Sequence, residues 1–210
     1  MIQVLYESGF VSIHTLWVFV VIALLVSSYV AVKRLKRRRL DLTLFIENSG
    51  FFIIWALLFS RLIYFFANPG TYFPTFDLRT VGNFLSIWDQ GFSFWGAMVG
   101  FTAAMTFKLW RRGENLWKWY DALIVPLLLG MAIGYIGAFL GGYSYGEPTN
   151  LPWGIRYEVI NVKYTVPVHP TQIYSFAVLM LILWSKKILK SKNSFFDKDG
   201  NTTVYIMTLL

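Results

Sequence analysis

The 210 residues predict an all-α integral membrane protein, a polytopic helix bundle, on three observations. Hydrophobic residues make up 56% of the chain and charged ones only 14%, where a soluble domain carries about a quarter charged. The apolar residues gather into runs near the ~20 needed to cross a bilayer. Lysine and arginine cluster between alternate runs, as the positive-inside rule requires.

The runs fall at about 15–32, 44–66, 92–110, 120–143 and 172–189, and a shorter one begins near Thr202 and ends at Leu210. This reads as five complete membrane helices and a partial sixth in a single transmembrane domain over 1–210, with the last helix truncated. Lys33 to Arg39 supply the first basic cluster, Lys108 to Lys118 the second, and Lys186 to Lys198 the third. Placing these clusters in the cytoplasm puts the N-terminus outside, with loops 67–91 and 144–171 on the outer face. No basic residue precedes the first run, so it reads as a retained anchor rather than a cleaved signal. The net charge of +8 is then a topology signal with some attraction to anionic headgroups, not a nucleic-acid surface.

Chemistry is limited by what is absent. The chain has no cysteine, which removes disulfides, thiolate metal sites and a cysteine nucleophile. Its two histidines are His14 and His169. Within the fourth run, Gly130, Gly134, Gly137 and Gly141 are spaced four, three and four apart. They share one helical face, where missing side chains allow close helix approach or leave a groove. Gly96 and Gly100 repeat the pattern in the third run.

Ionisable groups inside apolar runs are costly unless paired or wetted. Glu47 and Arg61 lie in the second run, about 21 Å apart along a helix. Glu47 reads as structural, and Arg61 as an interfacial cation able to reach a lipid phosphate. Asp121 opens the fourth run, where a carboxylate suits the helix dipole. In the last outer loop, His169 lies within the stretch "VPVHPTQIY" (166–174), where Pro167 and Pro170 restrict its backbone just before the fifth run. Gln172 and Tyr174 follow within a turn.

Several stretches together resemble the prolipoprotein diacylglyceryl transferases: "SRLIYFF" (60–66), "WDQGFSFWGAMVG" (88–100), "WYDALIVPLLLGMAIGYIG" (119–137), "YGEPTNLPWGI" (145–155) and "VHPTQIYSF" (168–176). They keep the family's order across most of the chain. The resemblance implies transfer of the diacylglyceryl group of phosphatidylglycerol to the lipobox cysteine of a prolipoprotein signal peptide, in the bacterial plasma membrane. It implies no metal or organic cofactor. Within these stretches and their loops, His169 is the catalytic candidate, and Arg61, Asp89, Gln90, Tyr135, Tyr143, Arg156, Gln172 and Tyr174 are candidate substrate contacts.

The reactive positions depart from the family pattern. Trp95 stands where the family has a histidine. Along the signature Gly-Arg-x-Gly-Asn-Phe-x-Asn-x-Glu, Tyr135 replaces the arginine, Ala138 and Gly141 the asparagines, and Tyr143 the glutamate. Ser175 stands where glutamate usually follows "HPTQIY", and Leu16 and Trp17 fill the place of a Tyr-Gly pair. Three readings follow: a transferase whose charge moved to Arg61 or Arg156 and whose proton handling moved to His169, a non-catalytic relative that binds phosphatidylglycerol or lipoprotein precursors, and, last, an unrelated membrane carrier.

Overall fold

A computed structural model describes residues 4–8, 11–69, 91–157, 162–192 and 194–210. A two-stranded antiparallel hairpin, β1 (Val4–Ser8) and β2 (Val11–His14), leads into α1 (Thr15–Arg37). Then follow α2 (Leu42–Glu47), α3 (Ser49–Ala67), α4 (Phe94–Arg111), α5 (Leu116–Gly141) and α6 (Thr171–Lys192). A 3₁₀ turn (Ser194–Asp197) precedes α7 (Asn201–Leu209). The molecule is a polytopic helical membrane protein. Four helices, α1, α3, α5 and α6, are long and apolar enough to cross a bilayer, yet at most 33% of any of these spans is buried. Apolar surface of that extent calls for lipid as its partner.

The span count differs from five complete helices and a partial sixth. α4 forms at 94–111 but carries Lys108 and Arg111 in its last turn, which dilutes an otherwise apolar 18-residue helix below the other four. α7 has nine residues, about 13 Å of rise. The second run also breaks. Asn48 ends α2 and begins α3: its Nδ2 donates to Leu44 O at 2.8 Å, and Ser49 Oγ donates to Ile46 O at 2.7 Å. Side chains that bond nearby carbonyls compete with the helical ladder. Glu47 is therefore not inside the long second helix: it is the last residue of α2, exposed, and precedes the candidate span Ser49–Ala67.

The chain divides into two compact units, residues 41–116 and residues 1–40 with 117–210. In the first, α3 and α4 pack along the Gly96–Gly100 face. A Cβ on Gly96 would meet Phe59 O at 2.5 Å, and one on Gly100 would collide with Trp55 O. The α4 N-terminus is tied down by Ser93, which accepts from Gly96 N at 3.2 Å and exchanges bonds with Ser60 (Ser93 N to Ser60 O, 3.1 Å; Ser60 Oγ to Ser93 O, 2.8 Å).

In the second unit, Ile124, Leu128 and Ala132 of α5 form a core with Leu179 and Ile182 of α6 and Ile206 of α7. Pro126 sits inside α5 and has no N–H to give Ala122 O, its partner one turn earlier. Arg34 fills the gap from α1, donating Nε to Ala122 O at 2.9 Å and Nη2 to Asp121 O at 2.8 Å. A side chain from a neighbouring helix is one of the means by which a membrane helix satisfies the carbonyl that a proline frees.

Asp121 does not serve the dipole of its own helix. α5 starts at Leu116, so Asp121 lies beyond its first turn. Its carboxylate is fully buried and caps α7 instead, accepting from Thr203 N and Thr203 Oγ1 (2.8 Å each) and from Gly200 N (3.0 Å). Gly200 has φ +90° and no side chain to cap α7 itself.

The α5 glycine face serves packing at three of its four positions. Gly130 lies against Ser27, Gly137 against Phe19 of α1, and Gly141 under the Tyr143 ring, whereas Gly134 has open space beside it. Gly137→Ala is thus expected to lower stability by about 1–3 kcal/mol through overpacking. Gly134→Ala should be neutral or raise stability by up to about 1 kcal/mol, through helix propensity. Thermal unfolding of the two variants in detergent checks the contrast.

Candidate functional site

The chemistry-bearing residues of the second unit collect where α5 ends and α6 begins. α5 ends at Gly141, and Gly142, with φ of +71°, reverses the chain while Tyr143 N bonds Ala138 O at 2.8 Å, a glycine C-cap. The loop then folds on itself around Val168, which is fully buried and bridges to both Pro148 and Ile155. Ile155 and Val168 exchange two backbone bonds of 3.0 Å, and Thr149 N donates to Pro167 O at 2.9 Å.

This ladder fixes His169 from both sides. Its N–H donates to Glu147 O at 3.0 Å, and its carbonyl accepts from Gly146 N and Thr171 N at 2.9 Å each. Gly146 permits the approach: a Cβ there would lie 2.9 Å from His169 Cβ and 2.8 Å from Thr171 Cγ2. Thr171 Oγ1 closes the corner by donating to Ser144 O at 2.6 Å. The prolines flanking His169 restrict the backbone as the sequence implies, but most of the fixing comes from bonds to residues 144–149.

The imidazole is partly exposed and its Nδ1 lies 3.3 Å from Tyr174 Oη, one turn into α6. Tyr174 Oη also accepts from Trp153 Nε1 at 2.8 Å. A phenol has one proton to give and two lone pairs. With Nδ1 protonated, Tyr174 accepts from both neighbours, and Nε2 of His169 keeps its lone pair for a substrate proton. That tautomer gives an oriented base. Trp153 lies within the "LPW" turn and does not stand out in the sequence as a partner; its only signal is an interfacial tryptophan.

Gln172 and Tyr143 hold the loop onto the helices. Gln172 is buried, donates Nε2 to Tyr143 O, and accepts from Tyr157 Oη at 3.3 Å. Tyr157, a residue that sequence reasoning missed, is 4% exposed and rests against Phe139 and Tyr145 (ring centroids 6.4 and 5.9 Å). Burial pushes its phenol pKa upward against the opposing effect of Gln172, so it acts here as a neutral donor. Tyr135 is half-buried and, with Gln172, Phe139 and Phe176, lines a small cavity of about 70 Å³ between α5 and α6. Arg156 is exposed beside the Ile155–Val168 bridge. His14 stands at the N-cap position of α1 without a side-chain capping bond, and its Nδ1 is buried with no hydrogen-bond partner among the described residues.

In the other unit, Arg61 is 6% exposed; its Nη1 donates to Gly91 O at 3.0 Å, and its guanidinium lies 5.6 Å from the Phe92 ring centre. A Cβ on Gly91 would meet Arg61 Nη1 at 2.6 Å. Trp95 is exposed at the start of α4. Asp89, Gln90 and Arg79 lie outside the described residues. Among the described residues, no group of three histidine, aspartate or glutamate side chains is placed to hold a metal.

The family model for prolipoprotein diacylglyceryl transferase matches residues 3–209. Three relatives named phosphatidylglycerol–prolipoprotein diacylglyceryl transferase illustrate the similarity. The protein from Thermosynechococcus vestitus is 27% identical over 189 residues, 85% of this chain and 68% of that protein. The Prochlorococcus marinus protein is 25% identical over 213 residues, 94% of this chain and 69% of the relative. The Nitrosomonas europaea protein is 36% identical over 115 residues, 54% of this chain and 40% of the relative. The chain thus spans between two fifths and about two thirds of the length of the relatives it matches.

Proposed function

Because the chain belongs to the prolipoprotein diacylglyceryl transferase family, we propose that it moves the diacylglyceryl group of phosphatidylglycerol to a prolipoprotein cysteine. The observation that carries the proposal is the fixed His169, bonded through both backbone groups and facing a tyrosine that Trp153 holds in place.

In this reaction a sulfur–carbon bond forms at the glyceryl carbon, and the carbon–oxygen bond to phosphate breaks. Glycerol phosphate leaves with the electron pair. The thiol must lose its proton for the thiolate to attack; His169 Nε2 accepts it, and Tyr174 orients the ring through Nδ1. The substrate supplies the sulfur, so a chain without cysteine meets the chemical requirement. Positive charge must meet the leaving phosphate. Arg156 is the arginine of this loop, which also carries Lys163, while Arg61, Asp89 and Gln90 are assigned to headgroup contact by motif alone. Tyr135 and Tyr143 contribute hydrogen-bonding groups where the family pattern has charge. We place the protein in the bacterial inner membrane with its basic loops cytoplasmic and the His169 loop on the outer face.

The alternative, a non-catalytic binder of phosphatidylglycerol or lipoprotein precursors, draws on the Tyr135, Ala138, Gly141 and Tyr143 substitutions. Release of glycerol phosphate from phosphatidylglycerol separates the readings. Release that requires a lipobox peptide supports the transferase; lipid binding without release supports the binder. Tyr174→Phe removes the orienting oxygen and should lower the rate about tenfold to a hundredfold with little change in peptide KM, since it acts on proton handling rather than binding.

A further inference from the structure

We propose that the opposite end of the second unit carries a separate binding site for an anionic phospholipid, formed between α5 and α6. There a cleft of about 540 Å³ is lined by Val125 and Leu129 of α5 and by Leu183, Lys186, Lys187 and Lys190 of α6. Leu183, Lys186, Lys187 and Lys190 follow an i, i+3, i+4, i+7 pattern and share one helix face. Val125 and Leu129 are four apart and face them. The site is distinct from the His169 loop: fourteen residues separate Gln172 from Lys186 on α6, about 21 Å along the helix.

Lys186 makes the cleft more than a solvated basic rim. A lysine at a helix end ordinarily keeps its ammonium in water, but Lys186 is only 9% exposed. It has no hydrogen bond or ion pair among the described residues, and it lines the cleft. Asp121, the buried carboxylate on α5, is already committed to Gly200 N, Thr203 and Arg38. Arg34 and Arg38 add positive charge to the same end, and Arg34 directs its donors to backbone carbonyls. A buried cation beside like charges needs a counter-anion. The lining dictates its form: three ammonium groups suit a phosphate, and the Val125–Leu129–Leu183 floor suits an acyl chain. Free phosphate satisfies only the first requirement.

The test titrates the full-length protein in neutral detergent with fluorescent phosphatidylserine, with phosphatidylcholine as control and inorganic phosphate as competitor. Phosphatidylserine carries the net negative charge without the glycerol headgroup of the reaction's donor. The wild type should prefer phosphatidylserine by about tenfold or more, given the roughly fivefold gain per lysine expected at an anionic surface. The K186Q/K187Q/K190Q variant should lose the preference. Leu129→Trp, which leaves every charge in place and fills the floor, should weaken phosphatidylserine binding. His169→Ala should leave the preference unchanged, so loss of transferase activity and loss of this site are distinguishable. Equal binding of both lipids by the wild type would overturn the proposal. So would a preference that survives both cleft variants, or full displacement by inorganic phosphate, which would assign the lysines to a free anion.

Discussion

His169→Ala is expected to reduce diacylglyceryl transfer by at least about a hundredfold, within the range that removal of a positioned general base produces. Phosphatidylglycerol binding should persist. The reasoning is geometric. Both backbone groups of His169 are bonded, its carbonyl to Gly146 and Thr171 and its N–H to Glu147, so alanine at this position leaves the loop intact and removes only the ring. Unfolding temperature should move little, because the imidazole is partly exposed and has Tyr174 as its ring partner. Transfer by the variant at an unchanged rate would return proton handling to another group, of which His14 is the obvious candidate, since its Nδ1 is buried and has no partner among the described residues.

Asp121→Ala is expected to have the largest effect on stability, about 3 kcal/mol or more. The carboxylate is fully buried and satisfies three donors of Gly200 and Thr203 besides the Arg38 guanidinium at 3.4 Å. Removing it strands buried donors and a cation together, the costly way to break a buried ionic network. Asp121→Asn keeps one acceptor oxygen and should lose about half as much. Thermal unfolding in detergent reads the first effect. Limited proteolysis reads the second: α7 should detach early in the alanine variant, exposing the 194–200 connection to cleavage. A cut pattern and unfolding temperature equal to wild type would refute the cap.

The membrane class and the approximate places of the long helices were legible because they rest on composition, which each span states locally. The glycine faces were legible for the same reason, since Gly96, Gly100, Gly130 and Gly137 need only helical periodicity to align. What was not legible depends on partners distant in sequence. Asp121 looked like a dipole carboxylate until α7, some 80 residues later, supplied Thr203 and Gly200. Glu47 reads as part of one continuous second helix, because nothing in the hydropathy shows that Asn48 breaks it. The β1–β2 hairpin went unread because its short strands resemble an apolar lead-in to α1.

At the site, His169, Gln172 and Tyr174 were visible from their spacing after Pro167, and the structure brings the three onto one corner. Their partners Trp153 and Tyr157 were not visible, because a loop's aromatic residues carry no period that reveals what they touch. Gln172 also shows how a motif residue can hold the scaffold: its amide bonds Tyr143 O and the Tyr157 hydroxyl. Whether it touches substrate as well is a separate proposal, and Gln172→Glu would test it through KM against stability.

The most direct test of the account is the mass of a lipobox peptide after incubation with phosphatidylglycerol and the full-length protein in its native membrane. The account predicts a peptide heavier by one diacylglyceryl group on cysteine, formed by the wild type and reduced at least about a hundredfold with His169→Ala. An unmodified peptide, with phosphatidylglycerol binding retained, would contradict it and leave a lipid-binding member of the family.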